Sequence, residues 1–220
     1  MDQRMSRPNL ARIINPSTAR IFRITHIDNI PWILSHGIHC RNAPADILDQ
    51  SFQPIGIPEL IDRRLQRQVP IPPFGALADY VPFYFTPFSP MLLMVKTGRD
   101  VTQRPMGEIV ILVSALSKLP VSGVRAIFTD RHAYLQTAEF YSSIVHLSKI
   151  DWDILQRRDF KREDGDLDKL ERYQAEALAY RWVPLTGLSG IVCHDAVATR
   201  RVECWVQQAG VELKTVQRPE

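Results

Sequence analysis

The sequence predicts a single α+β domain, and three observations lead to that fold class. The 220 residues match the size of one domain, and 45% of them are hydrophobic, as in an ordinary globular protein. Helix-like and strand-like stretches are mixed without the regular alternation of a doubly wound sheet. The chain also lacks the GxGxxG and GxxxxGKS/T motifs of the Rossmann and P-loop nucleotide sites. We expect one domain over residues 1–220, with residues 1–19 as an N-terminal extension.

The first element is a strand–helix–turn unit. Residues 21–26 alternate between two faces, which predicts a half-buried strand that ends at His26. Asp28 is suited to cap a following short helix, and Gly37 is suited to end it. This unit brings His26 and Asn29 to one end of the strand.

The remaining elements follow from the same periodicities and from the turn residues between them. The segment 43–75 is rich in Pro, Gln and Arg, which predicts a long loop with a short helix near 58–67 that serves as a mobile surface or a functional lid. The other predicted strands are 80–85, 108–114, 124–128 and 188–193, and the other predicted helices are 130–142 and 167–182.

Composition excludes several classes of protein. No apolar run approaches the length of a membrane helix, and the first residues lack the apolar core of a secretory signal. The chain has three cysteines and no CxxC pair, which predicts a reduced protein of the cytoplasm. The net charge of +3 permits a nucleic-acid partner without requiring one. His26, His36, His39 and Cys40 match no zinc-module spacing, so we expect no metal.

Three segments carry a resemblance to a known family when they are taken together. They run over 25–42, 80–92 and 171–178, and Phe-Thr-Asp at 128–130 and Asp-Trp-Asp at 151–153 are further landmarks. In the order and the residues of these segments, the chain resembles the DarT family of DNA ADP-ribosyltransferases, the toxins of bacterial toxin–antitoxin pairs. The resemblance spans about residues 20 to 195.

The resemblance implies a split, mixed β-core with flanking helices that holds NAD⁺ in a cleft. It implies a pentosyltransferase that uses NAD⁺ as co-substrate and modifies a base in single-stranded DNA. A base in a single strand needs no extraction from a stack. The family also implies a cognate antitoxin that removes the ADP-ribosyl group, and neither a metal nor a membrane partner.

Glu176 is the catalytic carboxylate that the resemblance implies. A carboxylate beside the ribose can stabilise the oxocarbenium-like transition state and assist removal of the acceptor's proton. The alternative from local pattern is a solvated i,i+4 pair of Arg172 and Glu176 on a helix. Local propensity favours helix through Leu178, whereas the family fold places its glutamate at the start of a strand. On the acceptor side, the resemblance points to Gln174, Arg172 and Phe88.

The expected NAD⁺ contacts lie in the first unit and in the aromatic strand. Two of them have a purely structural alternative, because His26 can be a core histidine and Gly37 can be a simple helix C-cap. An aromatic ring of the strand 80–85 can stack on nicotinamide or on a base. The expected NAD⁺-binding residues are His26, Asp28, Asn29, Gly37, Ile38 and Tyr84.

The identity of the modified base depends on Phe88 in this reasoning. Many thymine-modifying members of the family carry an arginine at that turn, and a phenylalanine cannot help to deprotonate a ring nitrogen. Guanine is therefore the expected base, and thymine is the alternative, which applies if Arg99 or Arg104 reaches the site in place of the missing arginine. A protein-directed ADP-ribosyltransferase and a non-enzymatic nucleic-acid-binding domain are the other hypotheses.

Overall fold

The structure is a computed structural model that describes residues 10–47 and 51–218, so residues 1–9 of the expected N-terminal extension lie outside the described residues. A large mixed sheet is flanked by helices. The strands are β1 (Arg20–His26), β2 (Ile38–His39), β3 (Tyr80–Tyr84), β4 (Ile109–Ala115), β5 (Ala126–Thr129), β6 (Phe140–Tyr141), β7 (Glu176–Tyr180), β8 (Trp182–Val183), β9 (Gly190–Cys193) and β10 (Thr215–Gln217). The α-helices are α1 (Ile30–His36), α2 (Pro58–Gln66), α3 (Pro90–Thr97), α4 (Lys118–Val121), α5 (Trp152–Arg157), α6 (Lys169–Tyr173) and α7 (Ala196–Gln208).

The large sheet has eight strands in the order β10-β9-β4-β1-β3-β7-β5-β6. Neighbouring strands in this sheet are antiparallel except for β9 and β10, which are parallel. The short strands β2 and β8 pair with each other in a separate two-stranded ribbon. The two halves of the sheet meet at β1 and β3, which share the single pair Phe22–Tyr84, whereas β1 and β4 pair along all of β1. This confirms the α+β class and the split, mixed β-core.

The register aligns the two ends of the expected cleft. Phe22 pairs with Tyr84, and Tyr84 pairs with Glu176, so these three side chains lie in one row on one face. His26 is four residues further along β1 and therefore shares that face. Two strand spacings and four residues separate His26 from Glu176, which corresponds to roughly 16 Å between their Cα atoms. Only an extended ligand can contact both.

The strand β7 lies in the middle of one half-sheet, between β3 and β5. All its residues from Glu176 to Ala179 are buried, and Ala177 and Leu178 pair on both sides. The expected helix over 167–182 is therefore wrong beyond α6. Pairing on both edges overrides the helix propensity of this alanine-rich stretch.

The expected helix over 130–142 is also wrong. The Asp130 carboxylate accepts the Glu139 N–H at 2.9 Å, which closes the segment into a loop. The chain then returns to pair β6 with β5 through Phe128–Tyr141 and Thr129–Phe140. The expected strands at 21–26, 80–85, 108–114, 124–128 and 188–193 and the helix near 58–67 are confirmed to within two residues at each end.

None of the helices within residues 10–47 and 51–218 combines the length and the apolarity needed to cross a membrane. No cluster of metal-ligating side chains occurs within the same ranges.

Candidate active site

Glu176 begins β7, and only 1% of its surface is exposed. Arg64 of α2 donates from Nη1 to both carboxylate oxygens, at 3.0 and 3.3 Å. The Ala133 N–H donates to Oε1 at 3.2 Å. The Glu176 N–H itself donates to Thr129 Oγ1 at 3.2 Å, which fixes the start of the strand. A buried carboxylate needs such partners to remain charged, and here they also set its direction.

The imidazole of His132 lies beside the same carboxylate, with Nδ1 3.4 Å from Oε1 of Glu176. The Tyr134 N–H donates to that Nδ1 at 3.2 Å, so Nδ1 is an acceptor that carries no proton. Burial lowers the pKa of His132 and outweighs the opposing effect of Glu176. The ring is therefore neutral, and Arg64 is the cation that balances Glu176.

Arg23 and Tyr84 complete the polar surroundings of Glu176. The Arg23 guanidinium donates to the Pro82 carbonyl at 3.0 Å. Burial, together with the charge of Arg64, lowers the pKa of Arg23 to about 10. Burial raises the pKa of the Tyr84 hydroxyl, and the charge of Glu176 adds to this effect. Tyr84 thus stays a neutral hydroxyl at physiological pH and can donate a hydrogen bond.

The far end of the face holds His26 and Asp28. His26 is buried, with Nε2 3.4 Å from the Glu108 carboxylate, while its Nδ1 accepts the Asp28 N–H at 3.2 Å. Asp28 is exposed, and its carboxylate accepts from Arg201 at 2.7 Å. Asp28 does not cap α1, because Asn29 occupies the N-cap position and Asp28 lies in a preceding 3₁₀ turn. The structure corrects the capping assignment in this respect.

Asn29 is buried and joins β1 to the loop that leads to α2. Its Nδ2 donates to Thr25 Oγ1 at 2.9 Å and to the Gln53 carbonyl at 3.0 Å. Its Oδ1 accepts the Gln53 N–H at 2.7 Å. Asn29 therefore anchors the segment that brings Arg64 to Glu176.

Gly37 and Ile38 form the turn after α1. Gly37 has a φ of +77°, and an added Cβ would lie 2.5 Å from the Val183 carbonyl oxygen and 2.6 Å from Nε1 of Trp182. Only glycine fits this close approach. Ile38 then pairs with Val183 in the β2–β8 ribbon. The C-cap role of Gly37 is confirmed, and it leaves the backbone of the turn close to β8.

Among the expected acceptor residues, Gln174 lies at the end of α6 and donates from Nε2 to the Leu170 carbonyl at 3.2 Å. Arg172 contacts three carboxylates, those of Asp151, Asp166 and Asp168, and these raise the pKa of Arg172. It forms no pair with Glu176, since α6 has ended before β7 begins. The structure therefore favours a structural role for Arg172 over substrate contact.

Phe88 is partly buried against the main core. The guanidinium carbon of Arg158 lies 3.4 Å from the centre of its ring, and the Tyr173 hydroxyl donates to its carbonyl at 3.1 Å. One face of the ring is therefore covered, which leaves less of Phe88 free to contact a base.

Sequence reasoning missed Arg64, His132 and Thr129. Arg64 is 112 residues from Glu176 in the chain, within the segment expected to be a loop or lid. An arginine-bearing helix in that segment was the available signal. Thr129 lies within the Phe-Thr-Asp landmark at 128–130 and His132 follows it closely, so the landmark marked the right place without assigning a role.

Comparison with known proteins gives one consistent answer. The family model described as "ssDNA thymidine ADP-ribosyltransferase, DarT" matches residues 22–220. A "DNA ADP-ribosyl transferase" of Escherichia coli O127:H6 (strain E2348/69 / EPEC) is 46% identical over 201 residues, which cover 91% of each chain. The structure of Thermus sp. 2.9 DarT in complex with ADP-ribosylated ssDNA superimposes with a TM-score of 0.84 and 31% identity, over 93% of this chain and 96% of that one. The complex of the same protein with NAD⁺ gives 0.82 and 30%, over 93% and 97%.

Proposed function

Because the chain belongs to the DarT family and is a DNA ADP-ribosyltransferase that uses NAD⁺, we propose that it transfers ADP-ribose to thymine in single-stranded DNA. The family description carries the choice of base, and one observation of the structure supports it. Arg64 binds both oxygens of Glu176 through Nη1, while its Nη2 is buried and has no hydrogen-bond partner within the described residues. A buried guanidinium N–H without a partner requires an acceptor, and the substrate is the source we propose.

The reaction breaks the bond between nicotinamide and ribose, and the electron pair of that bond leaves with nicotinamide. The same ribose carbon then joins the ring nitrogen of thymine, whose proton passes to the Glu176 carboxylate. We assign to the same carboxylate the stabilisation of the positive charge that develops on the ribose. Its contacts with Arg64 and Ala133 are made before the substrate arrives, so the carboxylate needs no reorganisation during the reaction.

Arg64 supplies the guanidinium that the guanine hypothesis assumed to be absent. The arginine expected at position 88 is replaced here by one that α2 brings from position 64. Thymine presents a carbonyl oxygen on each side of its ring N–H, so a guanidinium can bind it and stabilise the deprotonated nitrogen. The exocyclic amine of guanine is a donor and gains less from Arg64. The family description names thymidine as well, and thymine therefore replaces guanine as the expected base.

The proposed NAD⁺ site extends along the face that Glu176 shares with His26. The buried imidazole of His26 marks one end, and the neutral hydroxyl of Tyr84 lies in the row of Glu176. Gly37 and Ile38 are assigned from the family resemblance, since the space beside position 37 is filled by Val183 and Trp182 of the chain itself. We assign His26, Gly37, Ile38 and Tyr84 to NAD⁺ binding. Asn29 shapes the site indirectly through Gln53, and exposed Asp28 does so through its contact with His26.

The proposed macromolecular partner is single-stranded DNA, with Gln174 near the acceptor because it lies two residues before Glu176. A single strand offers its bases without the cost of unpairing. Family membership also supports a toxin role with a cognate antitoxin that removes the ADP-ribosyl group.

Labelled NAD⁺ tests the proposal with two matched oligonucleotide pools, one containing thymine but no guanine and the other guanine but no thymine. Each pool randomises its remaining bases, so that flanking preferences are sampled equally. We expect label on the thymine pool, and a double-stranded version of that pool should gain far less. Label confined to the guanine pool, or to a protein added as competitor, would refute the proposal.

A further inference from the structure

Tyr134 and Arg63 form an aromatic–guanidinium pair next to the catalytic carboxylate. The residue before Tyr134 is Ala133, whose N–H binds Glu176. Arg63 precedes Arg64, which binds both oxygens of the same carboxylate. The guanidinium carbon of Arg63 lies 5.9 Å from the centre of the Tyr134 ring. Each residue of the pair therefore adjoins a residue that binds the catalytic carboxylate.

The ring of Tyr134 is half-buried and lies against the smaller core cluster that contains Ile127 and Leu178. The His132 ring packs at 84° to it, with the two ring centres 6.3 Å apart. The Arg63 guanidinium carbon, at 5.9 Å from the ring centre, makes no close contact with the ring. Because Arg63 is exposed, its side chain can move away from Tyr134 and leave room for a base on the ring.

Apart from its position near the Tyr134 ring, Arg63 has no polar partner among the described residues, unlike the other two arginines of α2 and its C-terminal end. Arg64 binds Glu176, and Arg67 donates to the Gln136 side chain at 2.8 Å and to the Leu135 carbonyl at 3.0 Å. These bonds hold α2, which has no buried residue of its own. In the described part of the chain, Arg63 has neither a hydrogen bond nor a carboxylate within 4.0 Å.

We propose that Tyr134 and Arg63 form a subsite for the nucleotide adjacent to the modified base, with the base stacked on Tyr134 and its phosphate bound by Arg63. The proposal rests on single-stranded DNA as the substrate. Aromatic rings combined with guanidinium groups are the usual means of holding single strands, because every base has a face to stack and every nucleotide has a phosphate.

The experiment measures the binding of a fluorescent thymine-containing oligonucleotide by anisotropy over a range of salt concentrations, without NAD⁺. Arg63→Ala should weaken binding and reduce the slope of log affinity against log salt by about 0.7, as expected when one phosphate contact of a single strand is lost. Tyr134→Ala should weaken binding roughly 5- to 100-fold. Tyr134→Phe keeps the ring and should bind within about twofold of the wild type.

Arg125 provides the matched control, because its guanidinium carbon lies 4.5 Å from the ring of Tyr180 at the other end of β7. Arg125→Ala removes the same charge and should leave the salt slope unchanged. Equal effects of Arg63→Ala and Arg125→Ala would overturn the subsite and indicate general attraction. Wild-type affinity in Arg63→Ala and Tyr134→Ala would overturn it as well.

The steady-state constants distinguish the subsite from a role in holding α2. The KM for DNA should rise in both alanine variants by more than the KM for NAD⁺, whereas a displaced α2 would move Arg64 and lower kcat on every substrate. The binding measurement requires no turnover, so it tests the subsite separately. Failure of the wild type to modify thymine would count against the proposed function and not against this subsite.

Discussion

Replacing Arg64 by alanine removes the guanidinium that binds Glu176 directly and leaves Arg23 nearby. Glu176 then loses the contacts at 3.0 and 3.3 Å and keeps the Ala133 N–H at 3.2 Å. The Nη2 group that we assign to thymine disappears as well. Loss of one donor directed at developing charge lowers kcat by about 10²- to 10³-fold, or about 2.7–4 kcal/mol. We expect a loss of that size in transfer to DNA.

The assay compares transfer to DNA with hydrolysis of NAD⁺ in the absence of DNA. Because Arg64 serves both Glu176 and the base, transfer should fall more than hydrolysis. Arg64→Lys should recover little, since a lysine lacks the planar fork that bonds two partners at once. Arg125→Ala, at the far end of β7, is the control for loss of charge. If Arg64→Ala transferred ADP-ribose to DNA at a rate within threefold of the wild type, the reasoning would be refuted. If transfer and hydrolysis fell by the same factor, Arg64 would only position Glu176 and would not bind the base.

Three further predictions concern the same face of the sheet. Glu176→Ala should lower transfer by several orders of magnitude while circular dichroism shows an intact fold, and near-normal transfer would rule out its catalytic role. His26→Ala should raise the KM for NAD⁺ more than the KM for DNA, and the reverse pattern would place His26 outside the NAD⁺ site. Burial holds the pKa of His132 below its value in the unfolded chain, which is about 6.5. The neutral form therefore contributes stability above that pH, and this contribution is lost as the pH falls toward the folded pKa. Urea unfolding of His132→Gln between pH 8 and 5 should show a smaller loss on acidification than the wild type, and identical profiles would contradict this.

Local patterns predicted the elements that depend on local chemistry. The alternation over 21–26 gave β1, and Gly37 ended α1 because only glycine accepts the close approach of Val183. The helix near 58–67 was predicted from its own residues as well. These features need few distant partners, so a short window of sequence contains their cause.

The errors occurred where distant partners decide the structure. The stretch around Glu176 has helical propensity, but β3 and β5 pair with it on both sides and make it a strand. The segment after Thr129 is a loop because Asp130 binds the backbone of Glu139. No local pattern contains either interaction, although the resemblance had placed the glutamate at a strand start.

The family description supports thymine over the guanine that Phe88 suggested, and the reason for the difference is related. The sequence showed that Phe88 stands where an arginine was expected, and it could not show that α2 brings Arg64 to the same carboxylate. A charge required at a site can come from any segment that folds over it. Residue type at one position therefore did not decide the chemistry of the centre.

Mass spectrometry of a modified oligonucleotide tests the central claim most directly. The substrate contains one thymine between randomised flanks that lack thymine, and a second pool carries N3-methylthymine at that position. After incubation with NAD⁺, we predict one ADP-ribose on the thymine of the first pool and none on the second, with Glu176→Ala inactive on both. Modification of the N3-methylthymine pool, or of guanine within the flanks of the first pool, would contradict the account.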